Sequence, residues 1–304
     1  TELLVWRFVQ ALGGGACVVN SAAIVRDCFS GREAAKVMST MAMILMLAPL
    51  VAPMVGSLLL YLADWWLIFV FLAVYAAFLM WLLGAFLPET RPAGAPVASP
   101  RQVLRNYASV LTDRQAMGYI LAVAASFAGI FAFVTSSPFL YMQHYGLSPA
   151  AYPFVFGANV VVMALSNRVN IRLLRRRTPQ QNLRLGLAIQ LVAAGGLLVV
   201  VATGTDSLFT VVPLVMAFLG VVGLISPNAI SSLLERFSHM SATATALLGS
   251  IQFSSAALSG ALVTAFEIDS AWPMVIAMVT VALIGNVGLR VLAGRPPRVE
   301  EAAS

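Results

Sequence analysis

The chain is 304 residues long, 60% hydrophobic and only 10% charged, with a net charge of +6. A soluble domain carries about 25% charged residues, so too few polar side chains exist here to cover two water-exposed domains. The solvent for most of the chain is therefore lipid, which admits only helices and closed barrels; long apolar stretches without strand-like alternation select helices.

In chain order, nine spanning helices are expected over 3–25, 38–62, 65–87, 117–141, 151–172, 183–204, 208–233, 243–266 and 271–293. Cys17 falls on the first and Cys28 just past its end, too far apart along its axis for a disulfide. The second and third turn at Ala63-Asp64, ahead of the interfacial aromatics Trp65 and Trp66. A polar stretch over 88–116, with Pro88, Pro92, Pro96 and Pro100 and Arg91, Arg101, Arg105 and Arg114, reads as a linker. The expected organisation is three helices over 1–90, a linker over 91–115 and a six-helix bundle over 116–304.

Lys and Arg gather after alternate helices: Arg26, Arg32 and Lys36; the linker arginines; Arg172, Arg175, Arg176, Arg177 and Arg184; Arg236; Arg290, Arg295 and Arg298. The opposite turns carry Asp64, His144, Asp206, Glu267 and Asp269 instead. Positive charge marks the cytoplasmic side, which puts the linker and the C-terminus inside. The net charge follows from this sidedness and gives no sign of nucleic-acid binding. Anionic-lipid contact at RLLRRR (172–177) is a secondary reading beside a topological anchor. A three-plus-six layout is lopsided for transporters built of equal halves. Together with an opening Thr1 rather than Met, it suggests three helices missing in front.

The first helix reads Arg7-Phe8-Val9-Gln10-Ala11-Leu12-Gly13, ending Arg26-Asp27, and the second holds Ala52-Pro53-Met54-Val55-Gly56-Ser57. RxxQxxG and APxxG resemble the fourth-helix arginine motif and the fifth-helix antiporter motif of major-facilitator drug:proton antiporters, of the bicyclomycin-resistance (Bcr/CflA) type. The likeness continues through Phe127-Ala128-Gly129-Ile130-Phe131, Ser136-Ser137-Pro138-Phe139, Ser226-Pro227-Asn228-Ala229 and Ser270-Ala271-Trp272-Pro273-Met274. It departs in lacking the family's first three helices and in Ser57, where a second glycine is common. The resemblance implies an all-α membrane protein of twelve helices, nine of them here. It also implies a monomer of a bacterial inner membrane, exporting small amphipathic drugs in exchange for protons by alternating access, without a cofactor.

Arg7 lies inside an expected span, where a charge costs about 2.5–3.5 kcal/mol on insertion scales. It either snorkels to the headgroups or, as the resemblance implies, faces the bundle interior in proton coupling or substrate contact, with Gln10 on the same helical face. No carboxylate lies well inside a span, so the proton-carrying acid is expected outside this chain. Pro49, Pro53 and Gly56 mark either an ordinary kink or a gate helix that limits leakage, and Arg26-Asp27 either a local ion pair or an inner gate. For substrate contact, the fourth helix is aromatic-rich, with Phe127, Phe131, Phe133, Phe139 and Tyr141; most such rings are expected to pack or face lipid, and Phe127 and Phe131 are the candidates for the cavity. Asn159, Asn228, Gln252 and Phe253 add uncharged groups within later spans. His144 and His239 fall in opposite loops and make no metal site. No phosphate-binding glycine loop supports ATP hydrolysis, and no interfacial cluster of acids, His or Cys supports a lipid enzyme. A metabolite symporter of the same fold and a non-functional remnant of a transporter are the rival readings.

Overall fold

The computed structural model describes residues 2–29, 31–90, 99–266 and 270–294, and no strand occurs among them. The linker residues 91–98, the acids Glu267 and Asp269, and Arg295 and Arg298 lie outside the described residues. The chain divides into two compact units, Thr1–Val97 and Ala98–Ser304.

The first unit holds α1 (Glu2–Cys28), α2 (Gly31–Leu62) and α3 (Trp66–Phe86). The α2–α3 turn falls at Ala63-Asp64 as expected, where the Leu67 amide donates to the Asp64 carbonyl at 3.0 Å. Helix α2 runs unbroken past Pro49 and Pro53, although a proline inside a helix removes one backbone bond. Membrane helices tolerate this because neighbours re-satisfy the freed carbonyl. No residue of α3 is buried, and Trp6, Trp65, Phe78 and Trp81 stand largely exposed. In water such a surface would aggregate; in hydrocarbon it is the expected exterior.

The second unit is a packed bundle. Helix α4 (Pro100–Thr112) forms within the stretch expected as a linker. Ser99 caps it by accepting from the Gln102 amide at 3.2 Å, Pro100 sits in its first turn, and Val110 is buried. Helix α5 (Arg114–Pro138) starts on Asp113 and passes into a π-helical segment, Phe139–His144. There the Tyr145 amide reaches back to the Leu140 carbonyl at 3.0 Å. Helices α6 (Tyr152–Leu173) and α7 (Pro179–Ala202) follow, with a Thr178/Gln181 capping box opening α7. The expected span over 208–233 is broken at Val221 into α8 (Leu208–Gly220) and α9 (Val222–Arg236). Helices α10 (Ser241–Ala265) and α11 (Trp272–Ala293) complete the bundle.

Its core forms two clusters. At the α4 end, Val110, Ile120, Leu183, Ile225, Leu233 and Leu289 are sealed together. At the opposite end, Phe133, Tyr141, Leu197, Phe218, Met274 and Met278 form the second cluster. Seven helical segments among the described residues are long and apolar enough to cross a membrane: α3, α5 with its π segment, α6, α7, α8–α9, α10 and α11. Helices α1 and α2 form over their expected stretches but are not among those seven, so the expected nine spans stand at seven on length and composition.

Candidate functional site

In the first unit, α1 carries Arg7 and Gln10 one turn apart. Arg7 Nη1 donates to Gln10 Oε1 at 2.9 Å, and the guanidinium lies 4.8 Å from the centroid of the Phe69 ring on α3. A cation over a ring face gains about 0.5–2 kcal/mol depending on desolvation. Among the described residues no carboxylate forms an ion pair with Arg7. Phe69 is the partner that sequence reasoning missed; its only signal was an aromatic-rich third helix. Pro49, Pro53 and Gly56 lie on α2, and a methyl added at Gly56 would meet nothing within 4 Å. Arg26 and Asp27 occupy the last turn of α1, and their side chains lie outside the described residues, as do those of Pro49 and Pro53.

In the second unit, α5 and α10 bring three aromatic rings together. Phe127 sits 5.4 Å from Phe131, one turn along α5, and 5.3 Å edge-to-face from Phe253 on α10. Phe127 and Phe131 are half-buried and Phe253 is exposed. Gln252 adjoins this cluster on α10, its carbonyl accepting from Ser255 Oγ at 2.9 Å. Phe133 and Tyr141, by contrast, are core residues, packed against Phe156 and Tyr152.

The two asparagines singled out in the sequence are placed differently. Asn159 on α6 is buried, its amide donating back to the Val155 and Phe156 carbonyls, while its Oδ1 has no partner. Asn228 on α9 belongs to an amide triad that sequence reasoning did not find. Asn170 Oδ1 accepts from Asn228 Nδ2 at 2.7 Å and from Asn182 Nδ2 at 3.0 Å, and all three residues are buried. This ties α6, α7 and α9 together at the α4 end. Deeper in the bundle, Gln190 accepts from Ser126 Oγ at 2.9 Å, and Asn286 donates to the Leu187 carbonyl at 2.7 Å. These bonds satisfy polar groups that neither lipid nor an apolar core would solvate. Polar residues inside apolar runs were the available signal; which ones pair is set by contacts distant in sequence.

Charge is confined to the ends. At the α4 end, Arg236 forks onto Asp113 with Nε 2.8 Å and Nη2 2.6 Å from Oδ2, while its Nη1 reaches Gln115 Oε1 at 2.9 Å. Asp113 also caps α5 through the Ala116 amide at 2.8 Å. Burial alone would raise the Asp113 pKa, but the bonds and charge from Arg236 and the Ala116 and Gln115 amides outweigh it and hold it below 3.8. At the opposite end, Asp206 accepts from Tyr145 Oη at 3.0 Å and faces His144 Nε2 at 3.3 Å. Burial first, then the bond and charge of Asp206, raise the Tyr145 phenol above its ordinary 10.0. No carboxylate is buried among the described residues, and none of them forms a cluster able to hold a metal ion.

The family model of the Major Facilitator Superfamily matches residues 1–260. A bicyclomycin resistance protein homolog of Haemophilus influenzae is 34% identical over 274 residues, covering 90% of this chain and 68% of the relative. An uncharacterized MFS-type transporter YdgK of Bacillus subtilis is 32% identical, over 94% of this chain and 71% of its own length. Multidrug resistance protein MdtL of Escherichia coli O157:H7 is 30% identical, over 99% of this chain and 75% of its own length.

Proposed function

Because the chain belongs to the Major Facilitator Superfamily, a family of membrane transporters and not of enzymes, we propose that it serves multidrug efflux, exporting small amphipathic drugs in exchange for protons by alternating access. The observation that carries this is 34% identity, over 90% of the chain, with a relative named for bicyclomycin resistance. An aromatic cluster with no fixed charge among its members, Phe127, Phe131 and Phe253, supports the substrate class. In this reading α1 and α2 are spans beside the other seven, and Arg7 with Gln10 takes part in coupling or substrate contact. Pro49, Pro53 and Gly56 form the gate helix, and Arg26 and Asp27 the inner gate. Asn159, Asn228 and Gln252 join the aromatic residues at the substrate cavity. The α4 end and the C-terminus face the cytoplasm of a bacterial inner membrane, and the protein works as a monomer. No buried carboxylate that could carry the proton occurs among the described residues.

Accumulation of a drug panel in efflux-deficient bacteria, with and without a proton uncoupler, tests the export. Efflux that the uncoupler leaves unchanged would overturn the exchange for protons. Arg7→Ala removes both the Gln10 bond and the contact with Phe69 and should abolish drug efflux; undiminished transport would remove Arg7 from the coupling role.

A further inference from the structure

Helices α10 and α11 each pack along α5 but scarcely touch one another, and a groove of about 700 Å³ runs between them. Its floor is the small-residue face of α5, Ala124, Ala125 and Ala128, and its walls run from Ile251 to Phe266 on α10 and from Trp272 to Ile284 on α11. At 1.5 Å per residue the walls are about 18–22 Å long, more than the depth of one lipid leaflet. No charged side chain lines it. The rings Phe127, Phe131 and Phe253 are not part of it, so it is separate from the aromatic cluster described above.

One buried polar atom in this groove has no partner. Ser255 Oγ is satisfied, donating to the Ala124 carbonyl at 3.1 Å and the Gln252 carbonyl at 2.9 Å. Ser259, one turn on, is 6% exposed and lines the same groove, yet its Oγ bonds to nothing. A buried hydroxyl without a partner costs about 1–3 kcal/mol, which a ligand oxygen at that point would recover. Ser259 stands about 9 Å along α10 from its Ala265 end. A phospholipid tail at that depth offers only methylenes and leaves the hydroxyl unmet, and the apolar lining turns away ions.

We propose that the α10–α11 groove is a binding site for neutral, elongated amphiphiles that carry a hydroxyl or carbonyl oxygen and are dissolved in the bilayer, with Ser259 as their hydrogen-bond partner. Binding there does not depend on drug export, so the two can fail separately. The test is photolabelling of the full chain in phosphatidylcholine nanodiscs with azioctanol, an alcohol bearing a diazirine, with labelled peptides mapped by mass spectrometry. Labelling should fall on α10 and α11 at groove positions, saturate, and be displaced by octanol. Ser259→Ala should raise the concentration for half-displacement about fivefold, the effect of one hydrogen bond. Thr280→Trp fills the groove from an exposed wall position and should abolish the saturable labelling. Unsaturable labelling, labelling unchanged in both variants, or labelling that a diazirine-bearing phosphatidylcholine reproduces and octanol does not displace would overturn the proposal.

Discussion

Gly223 offers the sharpest perturbation of the bundle. A methyl built on it would stand 2.7 Å from the Met163 carbonyl oxygen and 2.8 Å from the Asn167 amide nitrogen, both backbone atoms of α6. Side-chain rotation cannot relieve either contact. To restore an ordinary 3.4 Å separation, α6 and α9 must part by about 0.7 Å. The same two helices are joined by the 2.7 Å bond from Asn228 to Asn170, so the parting stretches a buried hydrogen bond as well. Overpacking of this kind costs about 1–3 kcal/mol and a weakened bond about 0.5–1.5, against a gain of about 1 from replacing helical glycine by alanine. Gly223→Ala should therefore destabilise the chain by about 1–3 kcal/mol. Gly249→Ala, in a helix where the added methyl meets nothing within 4 Å, should be neutral or stabilising by up to about 1 kcal/mol. Unfolding in mixed micelles by a denaturing detergent, followed by circular dichroism, measures both. Equal stability of the two variants would refute the close approach of α6 and α9.

Asp113→Asn keeps an oxygen to cap α5 but loses the charge facing Arg236, for about 0.5–1 kcal/mol, whereas Asp113→Ala should lose about 1 kcal/mol more with the cap. Because the folded Asp113 pKa is lowered, its contribution is complete above 3.8 and fades as pH falls through the folded value. The stability gap between the wild type and Asp113→Asn should therefore close on acidification, and a gap that widens would contradict the ion pair. Asn170→Leu strips Asn182 and Asn228 of their shared acceptor and should cost about 1–3 kcal/mol in the same unfolding assay. At the opposite end, the raised Tyr145 pKa contributes stability that is complete below 10.0 and lost as pH rises through the folded value. Asp206→Asn should move that phenol back toward 10.0 in an ultraviolet titration; an unmoved titration would detach Tyr145 from Asp206.

The helical class and the elements of the second unit were legible because apolar runs of spanning length leave few alternatives in lipid. Helix α4 was equally readable in principle: Ser99-Pro100 is a helix start, and Val103, Tyr107 and Val110 recur at helical spacing. Its polar, proline-flanked surroundings drew it into a linker. The break at Val221 had no local signal, since Pro227 lies several residues further on, inside α9. Charge counting placed Arg236 at the cytoplasmic end and Asp113 lies in the stretch read as a linker, yet their pairing joins residues 123 apart in sequence and follows only from the packing of α9 beside α5. The amide triad was hidden for a related reason. Asn170 and Asn182 sit near helix ends, where a polar residue looks unremarkable, and only the folded bundle turns both toward Asn228. Arg7 and Gln10 were paired by helical spacing alone, while Phe69 comes from a different helix.

The π-helical segment at the end of α5 amounts to one residue inserted into a helix. Each residue of an α-helix turns the chain by about 100°, and the wider loop from Leu140 to Tyr145 absorbs one such step. Deleting a single residue between Phe139 and Gln143 would therefore let the segment relax to α geometry while the His144 and Tyr145 positions keep their direction around the axis, toward Asp206. Such a deletion would shorten the chain without losing either side-chain contact. In an alignment it would show as a one-position gap, and a residue matched to His144 across that gap would occupy the same place in space.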